Sequence, residues 1–243
     1  MKLKSLVILT VVAALLIGAA VWFSGRDAAK APRLNGVAML PDFAVADVAA
    51  IEFGDSLKVE AASNGWVATS FHGYPAKREA IVQNLMRLSE LKVGQVVRGK
   101  RLTDTTDLVL RSAAGGELAR LKVGERHAKA ERGRYAEFRG ETVLIADTLD
   151  PFEDDGSGWV EHKIVDEPWI SFSDIVEGVA EEELGLATGA VVRVTVAGDT
   201  NRLARVGAKV KEGGSERYFR LEGSPWTFIV PGYAVEPLLG GGE

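Results

Sequence analysis

The chain has 243 residues, 29 Lys plus Arg against 34 Asp plus Glu, a formal charge of −5 and no cysteine. That length suffices for one large domain or two small ones, and an apolar share of 47% with 26% charged residues excludes wholesale disorder. Without cysteine there is no disulfide framework, thiol nucleophile or Cys-ligated metal, and the mild acidity argues against nucleic acid as a partner.

Lys2 and Lys4 precede an 18-residue stretch, Leu6 to Phe23, in which Thr10 is the only polar side chain. As a helix it reaches about 27 Å, close to the hydrocarbon thickness of a bilayer. Trp22 and Phe23 mark its far end, where aromatic rings favour the headgroup layer. The reading is an uncleaved signal anchor over residues 1–23. The lysines hold its start in the cytoplasm, and residues 24–39 form a tether on the extracytoplasmic side. A cleaved signal peptide is the competing reading, with Gly18-Ala19-Ala20 as its cut, but that cut lies inside the apolar run. The expected location is therefore the inner membrane, single-pass, with the bulk of the chain periplasmic.

Beyond the tether the expected fold class is α+β, in two related antiparallel-sheet units, residues 40–152 and 153–243. Val48 to Phe53 reads as a strand. Leu57 to Ala62 and Trp66 to Ser70 flank Asn64-Gly65, a tight hairpin turn. Pro75 suits the first turn of a helix whose apolar stripe is Ile81, Leu85 and Leu88, widened by Val82 and Met86, with Gly94 as its stop. Strands follow at Asp107 to Arg111, Leu118 to Val123, Arg134 to Arg139 and Thr142 to Ala146. The second unit repeats the first. Setting Val123-Gly124 on Val206-Gly207, a shift of 83, brings Tyr135 onto Tyr218 and Gly140 onto Gly223 without a gap. Ala190 to Val196 and Arg202 to Val206 continue the match upstream. A fixed offset that keeps period-two facing is the signature of an internal repeat. The second unit's helix is expected to be reduced, Ile175 to Glu183 capped by Ser173 or Asp174 and weakened by Gly178.

Several short cues stand in a particular order: LPDFAVADVAAIEF from Leu40, Gly65-Trp66, Tyr74-Pro75, then Leu91-Lys92-Val93. Leu149-Asp150-Pro151-Phe152, Trp159-Val160-Glu161-His162-Lys163 and Leu184-Gly185-Leu186 follow. With the N-terminal anchor, this order resembles a bacterial family of membrane-anchored proteins defined only as a domain of unknown function. Its members are often encoded beside exporter-type ABC transporters of the gliding-motility kind. The resemblance implies an extracytoplasmic accessory role near a transporter or envelope assembly, and it carries no catalytic residues.

Signals for chemistry are sparse. His72, His127 and His162 have no metal-binding spacing, and the acidic loop from Glu153 to Gly158 fails the EF-hand template, so no metal or cofactor is expected. No nucleophile elbow, P-loop or dinucleotide fingerprint occurs. The expected function is non-catalytic binding of a protein partner. An Asp/Glu-based hydrolase and a module for a cell-wall polymer are the alternatives. The candidate partner-binding residues are Arg126, Lys129, Arg132 and Arg134, a basic segment interleaved with Tyr135 and Phe138, together with Trp159.

Overall fold

The computed structural model describes residues 34–128 and 133–240. The expected membrane anchor lies outside these residues, as do Lys129 and Arg132. Among the described residues no helix is long and apolar enough to cross a membrane.

The described fold is mainly antiparallel β, which overturns the α+β expectation. It contains three sheets and only two α helices. Nine strands make the first sheet: β1 (Val48–Phe53), β2 (Leu57–Ala62), β3 (Gly65–Ala68), β4 (Tyr74–Ala76), β5 (Val93–Val96), β6 (Thr106–Ser112), β7 (Glu117–Arg126), β8 (Arg134–Phe138) and β9 (Glu141–Ile145). Their spatial order is β4-β3-β2-β1-β6-β7-β8-β9-β5. A short pair, β10 (Lys163–Val165) and β11 (Ile170–Ser171), follows. The third sheet holds β12 (Asp174–Val176), β13 (Ala190–Val196), β14 (Asp199–Lys209), β15 (Arg217–Leu221) and β16 (Thr227–Val230), in the order β12-β16-β15-β14-β13.

Helix α1 (Arg78–Ser89) buries Ile81, Leu85 and Leu88, but Met86 is 52% exposed and does not widen the buried stripe as expected. It begins after Pro75, not at it. Pro75 sits in β4, an end strand of the sheet, where a residue without an N–H breaks no ladder. The helix expected at Ile175 to Glu183 is absent. Ile175 and Val176 are β-branched and pair with Phe228 and Thr227, and Gly178 then turns the chain at φ 70°. The second helix, α2 (Gly232–Leu239), comes at the C-terminal side of β16, a place the sequence pattern did not mark.

The end of the supposed tether belongs to the folded body. Leu34 and Met39 are buried, and Gly36 N–H donates to Val93 O at 2.7 Å while Val93 N–H donates to Val37 O at 2.9 Å. One continuous core runs through both large sheets, from Ile51, Val59 and Leu110 to Phe219, Phe228 and Val235. An aromatic seam joins them: Tyr74 meets Trp226 edge-on at 4.9 Å and Phe172 at 5.2 Å, and Trp226 Nε1 donates to His72 O at 3.2 Å. Each sheet therefore covers apolar area of the other, and together they need little helix.

The pairing of β7 with β8 recurs in β14 with β15. Lys122, Val123 and Arg126 face Glu137, Ala136 and Arg134, with an irregularity between Val123 and Arg126. Arg205, Val206 and Lys209 face Arg220, Phe219 and Arg217, with the irregularity between Val206 and Lys209. Every one of these positions moves by 83. The flanking strands follow the same plan, since β5 closes on β9 as β12 closes on β16, and β6 lies beside β7 as β13 lies beside β14.

Candidate functional site

The irregularity in each copy is built on a glycine and an arginine. In the first copy Arg134 Nε donates to Gly124 O at 2.8 Å, and its Nη1 donates to Thr148 O at 2.9 Å. In the second, Arg217 Nη1 donates to Gly207 O at 3.2 Å. A side chain on Gly207 has no room, and one on Gly124 fits only if Leu102 shifts. A Cβ on Gly124 meets Leu102 Cδ1 at 2.9 Å, and one on Gly207 meets Leu184 O at 2.4 Å.

In the first copy the two cations at this point are neutralised from within. Arg126 and Arg134 are cross-strand partners, and Glu153 bridges them. Its Oε1 lies 2.6 Å from Arg134 Nη2, its Oε2 pairs with Arg126, and Asp150 adds a contact to Arg126 at 2.7 Å. Burial pushes the Glu153 carboxyl up, but the bonds and charges of Arg134 and Arg126 outweigh it and hold the group below its ordinary value. Trp159 closes the same loop from behind. It is 1% exposed, stands edge-on to Phe152 at 5.3 Å, and donates from Nε1 to Pro151 O at 2.6 Å. Of the residues proposed for partner binding, Arg126 is thus exposed but paired, Arg134 is buried and paired, and Trp159 is a core anchor. Lys129 and Arg132 lie outside the described residues.

The acidic loop after Glu153 is a self-bonded turn. Asp154 accepts from Gly156 N–H at 2.8 Å and Gly158 N–H at 3.2 Å. Burial raises its carboxyl above the usual range, the two backbone bonds opposing this and the charge of Asp155 adding to it. His162 staples the loop to the core, with Nδ1 3.2 Å from Phe172 O and Nε2 2.9 Å from Ser157 O. Among the described residues no group of three His, Cys, Asp or Glu is placed to hold a metal ion.

One strand edge in the second copy is open where its counterpart is covered. In the first sheet the outer edge of β6 is covered by β1, with Ala50, Glu52 and Phe53 opposite Arg111, Val109 and Leu108. Gly54 N–H also donates to Asp107 O at 3.0 Å. The corresponding edge of β13 receives one bridge. Thr195 N–H donates to Glu167 O at 3.1 Å and Thr195 O accepts from Asp166 N–H at 2.8 Å. The next residue, Pro168, has no N–H to extend the ladder. Backbone direction alternates along a strand, so the N–H and C=O groups of Val191 and Arg193 also point away from β14. They have no backbone partner among the described residues. The Val191 side chain is 55% exposed.

Beside this edge the outer face of the third sheet is basic. Val191 pairs with Arg205, which directly opposes Arg220. In the first copy that position carries the complementary pair Lys122 and Glu137. Like charges directly opposed are unfavourable. Glu181 relieves Arg220 at 2.6 Å, but among the described residues no carboxylate pairs with Arg205. The two arginines and the Gly223-Ser224 turn line a cleft of about 400 Å³. A larger groove of about 830 Å³ runs between α1 and the β2–β3 hairpin, past Trp66, Ile81 and Leu85.

Sequence reasoning missed the edge and the arginine pair because neither is a motif. Both stand out only when the two copies are compared position by position. In comparisons with known proteins, no family model, no curated protein and no solved structure matches this chain.

Proposed function

We propose that this chain is a non-catalytic, membrane-anchored accessory protein on the extracytoplasmic side. Its β-rich body binds a protein partner, of the kind found in an ABC-type transporter or envelope assembly, by accepting one of the partner's strands on the edge of β13. The observation that carries this reading is the bare edge at Val191 and Arg193, where the repeated copy holds a strand of its own. Strand addition uses main-chain hydrogen bonds for affinity and alternate side chains for selectivity. An exposed edge rich in β-branched residues, Ala190-Val191-Val192-Arg193-Val194-Thr195-Val196, is a template of that kind. The N-terminal apolar stretch and the motif order that resembles the membrane-anchored family support the location and the class of partner.

The test is a photo-crosslinking residue at Val191 in the full chain, expressed in its native membrane. The expected result is an adduct with an integral membrane or envelope protein. No such adduct is expected from the same residue at Val109, which lies under β1. Arg193→Pro removes an outward N–H without touching the bonds to β14, and it abolishes the adduct. An adduct that survives Arg193→Pro, or none at Val191, overturns the reading.

A further inference from the structure

Helix α1 forms one side of the groove of about 830 Å³, and the β2–β3 hairpin forms the other. The walls are apolar: Ala62 and half-buried Trp66 on the hairpin, half-buried Val82 on the helix, with buried Ile81 and Leu85 beneath. Arg78, exposed in the first turn of α1, is the one charged side chain that lines the groove among the described residues. It has no ion pair among those residues, and no carboxylate stands in the lining to neutralise it. Small-molecule sites of this size are mostly apolar, with a few polar groups that fix the ligand's orientation.

An occupant of this groove has to be apolar over most of its length, because a polar chain gives up hydration against walls that return few hydrogen bonds. It also has to carry negative charge at one end, where the planar guanidinium of Arg78 offers a fork of donors. One cation matches one charge, which a carboxylate carries and a phosphate monoester exceeds. We propose that the groove binds a long-chain fatty acid, with its carboxylate on Arg78 and its chain between Trp66 and Val82. The proposal rests on the membrane-anchored reading for its supply of lipid. The segment from Gly36 to Met39 joins the fold beside Val93 and Leu91, just past the end of α1. Leu34 lies 11 positions after Phe23. A chain of that length reaches at most about 38 Å, so the folded body is held close to the bilayer.

The experiment uses the full chain in nanodiscs of phosphatidylcholine. The probe is hexadecanoic acid with a diazirine at mid-chain, and the matched alcohol is the control. After irradiation, mass spectrometry maps the adducts. The expected result is a label on the peptides that contain Trp66 and Val82, displaced by excess unlabelled acid. Probe dissolved in the bilayer labels the apolar stretch Leu6 to Phe23 without displacement. The alcohol labels the groove about three-fold less, and Arg78→Gln lowers the acid's labelling by the same factor, the size of a partly exposed ion pair. Ala62→Trp, at an exposed position, fills the groove and abolishes its label. The proposal is overturned if no displaceable label appears there, if the alcohol labels it equally, or if Arg78→Gln or Ala62→Trp leaves the label unchanged. A groove closed by a partner's helix stays unlabelled and overturns it as well. Label on the N-terminal stretch without label in the groove overturns this proposal alone. Label in the groove without label on the stretch upholds it and overturns the membrane anchor.

Discussion

Replacing Arg134 and Arg217 by alanine, one at a time, compares the same position in two copies of one structure. The Arg134 side chain is 7% exposed and makes three kinds of contact: Gly124 O, Thr148 O and Glu153. Its loss leaves two carbonyl oxygens without that donor and a partly buried carboxylate held only by the exposed Arg126. Glu153 is partly exposed and keeps Arg126, so the loss is that of a charge-assisted bond and two backbone bonds, about 2–3 kcal/mol. Arg217 makes one bond, to Gly207 O, and keeps a buried Nε that finds no acceptor. Its truncation gives up a net hydrogen bond of about 1 kcal/mol and removes an unsatisfied donor, so the total is about 1 kcal/mol or less. Urea unfolding of the full chain in mild detergent, followed by tryptophan fluorescence, reads both as midpoint shifts at constant slope. Arg134→Met keeps the apolar stem and separates packing from polar loss. A pH series adds a second readout. Glu153 is held below its ordinary value, so its contribution is complete above the unfolded carboxyl range and is lost as pH falls through the depressed folded value. Arg134→Ala flattens that acid-side slope. If the two alanine variants cost the same, or Arg134→Ala costs under about 1 kcal/mol, the account of the first copy as internally neutralised is wrong.

Three further outcomes follow from the same geometry. Gly207→Ala forces a Cβ to within 2.4 Å of a main-chain oxygen and costs about 2–3 kcal/mol, while Gly124→Ala meets flexible Leu102 atoms at 2.9 Å and costs about 1 kcal/mol, both read from urea midpoints. Trp226→Ala removes the ring against Tyr74 and the bond to His72 O and costs about 3 kcal/mol in thermal unfolding, whereas Trp226→Phe keeps most of the packing and costs about 1 kcal/mol. Burial, and after it the charge of Glu161, pushes the Tyr74 hydroxyl up to about 12. Ionisation followed at 295 nm therefore contains a late component that Tyr74→Phe deletes, and stability falls as pH rises from the ordinary tyrosine value of about 10 toward that range.

The parts of the fold legible in the sequence are those set by local spacing. Val48 to Phe53 and Ala190 to Val196 alternate or cluster β-branched residues, and they are strands with those ends. The β2–β3 hairpin is where Asn64-Gly65 pointed, though its loop is Ser63-Asn64 and Gly65, at φ 129°, already pairs with Ala62; the stripe Ile81, Leu85, Leu88 is helical because only a 3.6-residue period puts all three on one buried side. The illegible parts are those decided by distant partners. Pro75 reads as a helix start until Val67 pairs with it, and Ile175 reads as helical until Phe228 does. Helix α2 carries Pro237 in its interior and Gly232 at its start, where any Cβ would fall 1.9 Å from Ser215 O, so propensity argued against it and tertiary packing overruled that. The same limit applies to the site. Arg126 and Arg134 look like a free basic segment because the residues that neutralise them, Asp150 and Glu153, come after another hairpin.

The differences between the two copies all run one way. The first copy covers its β6 edge with β1, faces Lys122 with Glu137 and bridges Arg126 to Arg134 with Glu153. The second leaves the edge at Val191 and Arg193 bare, faces Arg205 with Arg220 and leaves Lys209 beside Arg217 unbridged. Each departure weakens the isolated fold: unpaired edge groups, like charges opposed and a buried donor without an acceptor are all unfavourable. On the proposed reading, a partner that lays a strand on the second copy restores to the β13 edge what β1 supplies to β6 in the first. On that reading, the free energy forgone in the unbound fold becomes affinity for the partner.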